Sequence, residues 1–197
     1  ATGTAARVES RTVAAVPVAA QCGVNLVIGT SGLSHEDITE IERLCTSGDV
    51  GAIIAPNFSL GAVLMIHLAQ LAARYFDYAE ILEKHHDKKV DAPSGTALAT
   101  ARAMLEARGR PFSYPVVQEE SLANTRGGQI GGVGIHSVRL PGLLAHQEVV
   151  FGAPGQTLSI RHDTMSRESF MPGVVMAIKQ VVKLKGVLHG LEKTLGL

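Results

Sequence analysis

A chain of 197 residues can build one large domain or two small ones with a real core. Its 18 basic residues balance its 18 acidic ones, which excludes an overall field drawing it to nucleic acid or a membrane, so any anion site must be local. Trp is absent and aromatics are only 4%, against a stacking platform for single strands. Neither a secretory segment nor a long apolar run is visible, and Cys22 and Cys45 form no C-x-x-C pair. The expectation is a cytoplasmic protein with both thiols acting as small core residues.

Residues 1–12 are small and polar without a period, the pattern of a frayed terminus. Residues 13–21 are alanine-rich and predict a short helix, limited or kinked by Pro17, with Gly23 as its stop. Residues 24–28 form a nearly continuous apolar run, the mark of a strand buried on both faces. It ends in Gly29-Thr30-Ser31-Gly32. Ser34, followed by His35-Glu36-Asp37, predicts an N-capped helix over 36–45. A Ser47-Gly48 turn then leads to a second buried strand over 51–55. Strand, helix and strand make a βαβ unit, a piece of a doubly wound sheet.

Ala55-Pro56-Asn57-Phe58 breaks that strand, and residues 61–75 carry apolar residues at helical spacing. Alternation predicts a strand over 78–86, and the turn from Asp91 to Gly95 opens a helix over 95–108. Residues 111–132 read as a long glycine- and polar-rich loop, uncommon unless it works. Its segment 126–132 neither follows a buried strand nor opens a helix, so it reads as a mobile flap or connection rather than a phosphate loop. Strand-like runs follow at 134–140, 148–151 and 157–162, the last two joined by an Ala153-Pro154-Gly155 hairpin signal. Ser166 or Ser169 is the expected cap of a final helix from Met171 to about Lys185. The fold class is therefore α/β: a partial Rossmann-type parallel sheet plus an α+β domain with a mixed, largely antiparallel sheet.

The densest chemistry lies between Glu83 and Thr96. On an alternating strand, His85 shares the face of Ile81 and His86 takes the other face. One imidazole can transfer a proton near neutrality while the other holds a substrate oxygen. Lys88 and Lys89 add local positive charge, and the amides of Ser94, Gly95 and Thr96 open a helix, where carboxylate or phosphate binds. Gly95 also lets a ligand approach the backbone. A solvated loop with a capped helix accounts for either pair alone, but not for the whole run. Together these residues describe a carboxylated ligand beside an acid/base histidine.

Gly29-Thr30-Ser31-Gly32 and Ala55-Pro56-Asn57-Phe58 both end buried strands at the edge where open α/β sheets bind ligands. The first leaves room for a nucleotide, though taken alone it reads more readily as a plain turn. In the second, Asn57 offers both a donor and an acceptor, suited to a nicotinamide carboxamide. The plainer alternative there is an Asx-type turn with a core Phe. His136, His146 and His162 lack metal-like spacing and read as satisfied structural histidines, so no metal is expected.

Taken together, the three segments resemble one family. Gly29-Thr30-Ser31-Gly32 looks like the GTTG turn of dihydrodipicolinate reductases, with Ser31 in place of the usual second threonine. Ala55-Pro56-Asn57-Phe58-Ser59 looks like their A-P-N-F-S segment. His85-His86 through Thr96 is similar to their H-H-x-x-K-x-D-A-P-S-G-T-A signature. The likeness runs on through Val138-Arg139, His146-Gln147-Glu148, Phe151-Gly152 and Ile160-Arg161-His162, and covers the chain from about residue 13 to its end.

The resemblance implies hydride transfer from NADH or NADPH to C4 of a cyclic, unsaturated dicarboxylate, followed by protonation at C3, in lysine and diaminopimelate biosynthesis. It makes His85 the proton donor or acceptor and Lys89 the second catalytic group. His86 would contact substrate, and Gly95 and Thr96 would hold a carboxylate. Gly29, Thr30, Ser31, Ala55, Pro56, Asn57 and Phe58 would line the cofactor. It further implies a cofactor domain of residues 1–59 and 170–197 and a substrate and tetramerisation domain of residues 60–169. A homotetramer joined through the substrate domains' sheets and a hinge closing on ligand belong to the same expectation.

One departure stands out: the opening strand and G-x-x-G-x-x-G turn that bind pyrophosphate in the family are not in this sequence. Two explanations follow: the sequence is a fragment of a longer coding region, or a variant that has lost much of its dinucleotide site. The second would weaken cofactor binding by several kcal/mol, at roughly 1.5–3 kcal/mol for each hydrogen bond to a charged group. It would also expose a parallel-sheet edge and leave a catalytically silent dicarboxylate-binding or oligomerising remnant as the alternative function. The residues that choose between NADH and NADPH lie in the same absent segment.

Overall fold

The computed structural model describes residues 2–30 and 32–197, with side chains from Thr12 onward. In chain order the elements are α1 (Thr2–Gln21), β1 (Leu26–Ile28), α2 (His35–Ser47), β2 (Gly51–Ile54), α3 (Leu60–Ala73) and β3 (Tyr78–His85). Next come α4 (Gly95–Arg108), β4 (Gly128–Ile130), β5 (Val133–Arg139), β6 (Ala145–Ala153) and β7 (Gln156–Thr164). A short 3-10 turn, Arg167–Phe170, then leads to α5 (Met171–Val181), β8 (Gly186–His189) and α6 (Glu192–Leu195). The chain divides into two compact units, Ala1–Val63 with Glu168–Leu197, and Leu64–Arg167.

The first unit is built on a parallel sheet of order β1-β2-β8. Its middle strand is the one buried on both faces, every residue of β2 being buried. The apolar run over 24–28 instead supplies the edge strand β1, in which only Ile28 is buried because no strand among the described residues covers its outer side. Ala52 and Ile54 face a cluster with Val16 and Ala20 of α1 and Ile41 and Cys45 of α2. Ile53 and Ala55 face the opposite way, into a cluster with Phe58, Ala177, Val181 and Leu191. Each fully buried isoleucine contributes roughly 1.5–3 kcal/mol relative to exposure. Ser34 caps α2 through a capping box with Asp37, satisfying two donors of the helix start.

The second unit carries a five-stranded sheet of order β4-β5-β3-β6-β7. β3 runs parallel to β5 and antiparallel to β6, and the remaining pairings are antiparallel. One face packs on α3 and α4, where Ala69, Ala73, Ala97, Ala101 and Met104 meet Ile81, Val133, Ile135, Val149 and Phe151. The small alanines let both helices sit close to the larger side chains of the sheet. The α/β class with one parallel and one mixed sheet is as expected from the sequence.

Several local expectations are corrected. The N-terminal segment is not frayed but helical from Thr2, and Pro17 lies inside that helix. Alanine favours the helix throughout this stretch, and the mixture of polar residues hid it. Cys45 is buried, but Cys22, just past the end of α1, is exposed and is not a core thiol. The 111–132 segment contains β4, turned onto β5 by Gly131 and Gly132 with φ of +56° and +85°. Both dihedrals suit glycine and a tight hairpin, a signal masked by the brevity of the strand. The final helix stops at Val181, its N-cap is Phe170 with no side-chain cap, and neither Ser166 nor Ser169 serves. Residues 186–189, beyond that stop, form β8, paired in parallel with β2. At four half-buried residues it was too short to show a period.

Candidate active site

In the second unit, β3 holds the centre of the sheet and its alternation places Ala79, Ile81 and Glu83 on the buried side. His85 follows on that same face, as the sequence reading required. Glu83 is wholly buried, a placement that is expensive unless the charge is paired and hydrogen-bonded. It is both. Arg139 of β5 donates through Nη1 to Oε2 at 3.0 Å and through Nη2 to Oε1 at 2.8 Å. The Ser94 amide donates to Oε1 at 3.2 Å, and His85 Nδ1 lies 2.5 Å from Oε2.

Burial pushes the Glu83 carboxyl up, but the hydrogen bonds from Arg139, Ser137 and His85 outweigh it and hold the group below the usual carboxylate range. An ionised Glu83 only accepts, so His85 Nδ1 carries the proton and donates. Burial also lowers the proton affinity of His85. The Glu83 carboxylate opposes that, Lys89 and Arg139 reinforce it, and the net direction is below the ordinary histidine value. Without ligand His85 is therefore largely neutral at pH 7, and the remaining ring nitrogen, Nε2, has no partner among the described residues.

After β3 the chain turns, with the Lys89 amide donating to the His86 carbonyl at 3.1 Å. Lys89 Nζ reaches Asp91 Oδ1 at 2.7 Å, and this bond, with the positive charge, holds the Asp91 carboxyl below its usual range. Arg139 Nη2 donates to the Asp91 carbonyl at 2.6 Å, tying the turn to β5. The start of α4 follows, with the Ser94 hydroxyl accepting from the Ala97 amide at 3.2 Å. That cap leaves the amides of Gly95 and Thr96 without an intrahelical partner. Gly95 is exposed, and a Cβ there would meet nothing within 4 Å. The structure thus gathers His85, Lys89, Gly95 and Thr96 around one strand end and one helix start. His86 is half-buried beside them.

Glu83 and Arg139 escaped the sequence reading as site residues. The available signal was the two-residue offset that puts Glu83 and His85 on one strand face. Arg139 stood only within the Val138-Arg139 likeness, with no sign of its role, since its pairing opposite His85 across parallel strands is long-range.

In the first unit, β1 and β2 end side by side, with the Ala55 amide donating to the Ile28 carbonyl at 2.9 Å. This brings Gly29 and Thr30 next to Ala55, Pro56, Asn57 and Phe58 at the carboxyl edge of the parallel sheet. Ser31 lies outside the described residues. A Cβ on Gly29 would stand 3.1 Å from the Phe58 ring, so a side chain there would press on that ring. Phe58 is in the core, and the Asn57 side-chain oxygen accepts from the Ser59 amide at 2.9 Å. The Asx turn with a core Phe is therefore present. Thr30 Oγ1 shares a 2.8 Å hydrogen bond with Thr12 Oγ1. Exposed backbone at Gly29 and hydroxyl and amide side chains at a parallel-strand edge fit a dinucleotide.

Of the other histidines, His136 pairs with Glu80 at 2.6 Å and His146 with Asp163 at 2.7 Å. No group of three or more metal-type side chains occurs among the described residues.

A nucleotide-type parallel sheet in one unit and, in the other, an α+β fold carrying a buried Glu83–His85 pair fit a nicotinamide-type oxidoreductase plan. The family model for the dihydrodipicolinate reductase C-terminus matches residues 61–195, and that for the N-terminus matches residues 8–58. A 4-hydroxy-tetrahydrodipicolinate reductase of Dehalococcoides mccartyi is 59% identical over 183 residues, covering 93% of this chain and 69% of the relative. The enzyme of that name from Moorella thermoacetica is 57% identical over 178 residues, covering 90% and 66%. A dipicolinate-bound dihydrodipicolinate reductase from Paenisporosarcina superposes with a TM-score of 0.85 at 44% identity, covering 94% of this chain and 70% of that one. This chain belongs to the dihydrodipicolinate reductase family.

Proposed function

We propose that this chain is a 4-hydroxy-tetrahydrodipicolinate reductase, using NADH or NADPH to reduce a cyclic dicarboxylate on the way to diaminopimelate and lysine. The observation that carries the reading is the meeting of His85, Lys89 and the free Gly95 and Thr96 amides on one segment. The Paenisporosarcina relative, which superposes closely, has dipicolinate bound. We assign the dicarboxylate to the second unit and the cofactor to the first, where Gly29, Thr30, Ser31 and Ala55 to Phe58 would hold it.

When bound, the nicotinamide would supply a hydride to C4 of the unsaturated ring. The chain's own residues do the rest. Gly95 and Thr96 donate their amides to one carboxylate, aided by the positive end of α4. Lys89 leaves or shares its bond with Asp91 to hold negative charge on the substrate, and His86 contacts a substrate oxygen. Two carboxylates near His85 raise its proton affinity, opposing its burial, so the imidazole enters the reaction charged. Nε2 then delivers the proton to C3, and Glu83 keeps the opposite nitrogen protonated.

We further infer a homotetramer joined through the second unit's sheet, whose face away from α4 carries Leu82, Val138 and Val150 at least partly exposed. The setting is the cytoplasm. No helix among the described residues is long and apolar enough to cross a membrane.

The test is calorimetric titration with NADH and NADPH, with and without pyridine-2,6-dicarboxylate, followed by turnover read from nicotinamide absorbance. Micromolar cofactor binding strengthened by the mimic, with turnover, is the expected result. Mimic binding without cofactor binding or turnover overturns the reductase reading.

A further inference from the structure

We infer that Glu83, clamped by Arg139, is a positioning residue that fixes His85 with its proton on Nδ1 and keeps Nε2 as the nitrogen that exchanges a proton with substrate. The inference deepens, and rests on, the reductase reading.

Glu83 lies fully inside the second unit, and its two oxygens meet donors from three elements: His85 of β3, Arg139 of β5 and the Ser94 amide before α4. A buried ion pair needs only the guanidinium. The 2.5 Å contact to His85 Nδ1 is additional, and it selects one tautomer, because an ionised carboxylate cannot donate. Arg139 goes further by holding the Asp91 carbonyl at 2.6 Å, and the Asp91 side chain holds Lys89. One arginine therefore sets the placement of both groups given the chemistry. The charged groups facing the imidazole are Glu83 on its own strand, Arg139 on β5 and Lys89 in the turn. On β6 the cross-strand neighbour is the uncharged Ala145, and before α4 it is the neutral Ser94.

Of these groups only Glu83 favours the imidazolium. Its removal lowers the proton affinity of His85, so the donor form is lost at lower pH and the alkaline limb of the activity profile moves acidward. A residue that only held the fold would change the yield of folded protein and leave that limb in place.

The experiment joins steady-state kinetics of Glu83→Gln with 15N NMR of labelled imidazoles in the unaltered chain, His85 being assigned by its disappearance in His85→Asn. We expect the Nδ1–H tautomer for His85 at pH 8. For Glu83→Gln we expect a fall of about a hundredfold in kcat, an unchanged KM for NADH and the acidward limb. An Nε2–H tautomer in the unaltered chain overturns the inference, as does a variant with normal kcat and an unmoved limb. If Glu83→Gln does not fold, the tautomer of the unaltered chain decides. If the unaltered chain has no turnover, the reductase reading fails, while the tautomer still decides the role of Glu83.

Discussion

The two units prepare for their ligands by opposite means. At the carboxyl edge of β1 and β2 the preparation is an absence of side chain: Gly29 is bare, and the Phe58 ring stands 3.1 Å from where a Cβ would be. At the end of β3 it is an excess of charge, already paired in the unliganded chain. Glu83 is held by Arg139 and Lys89 by Asp91. On the proposed assignment of ligands, the contrast follows from what each unit would bind. A dinucleotide lying along strand ends needs backbone access. A small doubly charged acid needs fixed cations and free amides that cost little reorganisation when it arrives.

If that contrast is right, chemistry should be lost most severely in the charged site. His85→Gln should lower kcat by about a hundredfold or more, the usual worth of a positioned proton donor, with thermal stability unchanged and NADH binding intact by calorimetry. A larger loss of cofactor affinity than of kcat would break the contrast. Next in size, Lys89→Ala removes a charge-assisted contact worth roughly 1.5–3 kcal/mol. The expected readout is a fall of about tenfold to a hundredfold in kcat/KM for the dicarboxylate, weaker binding of pyridine-2,6-dicarboxylate and an unaltered KM for NADH.

In the other unit the effect should be smaller and confined to the cofactor. Gly29→Ala puts a methyl against the Phe58 ring, which must shift by a few tenths of an ångström, and takes space from the nucleotide. A rise of about tenfold in KM for NADH or NADPH, some 1.4 kcal/mol, should leave mimic binding by the second unit untouched. If the mimic is lost as well, the substitution has disturbed the fold rather than the nucleotide edge.

The same contrast explains what was legible in the sequence. Strand ends with glycine and Asn-Phe turns are local, and Gly29, Thr30 and Ala55 to Phe58 came to one sheet edge as read. The segment from His85 to Thr96 was legible for the same reason: its histidines, its lysine and its helix start are neighbours in sequence. The helix over Gly95–Arg108 matched its expected bounds. What could not be read depends on partners far along the chain. Arg139 lies more than fifty residues from Glu83, and only the parallel pairing of β3 with β5 brings them together. β8 is likewise a strand only because β2 is there to pair with it. The second half of α1, residues 13–21, was read as helix, but its first half was missed for a different reason, since polar residues among helix formers carry no period to reveal it.

The smallest expected effect separates positioning from stability within the charged site. The Ser94 hydroxyl caps α4 through the Ala97 amide, while its backbone N–H binds Glu83. Ser94→Ala removes the first bond and keeps the second. Loss of an N-cap costs about 1 kcal/mol of stability, visible as a lower denaturation midpoint in urea. Because Glu83 keeps all its donors, the state of His85 should not change, and kcat and its pH profile should stay near those of the unaltered chain. A shifted pH profile in Ser94→Ala would mean that the helix start itself tunes His85. The charged site would then depend on α4 as much as on the Glu83–Arg139 pair.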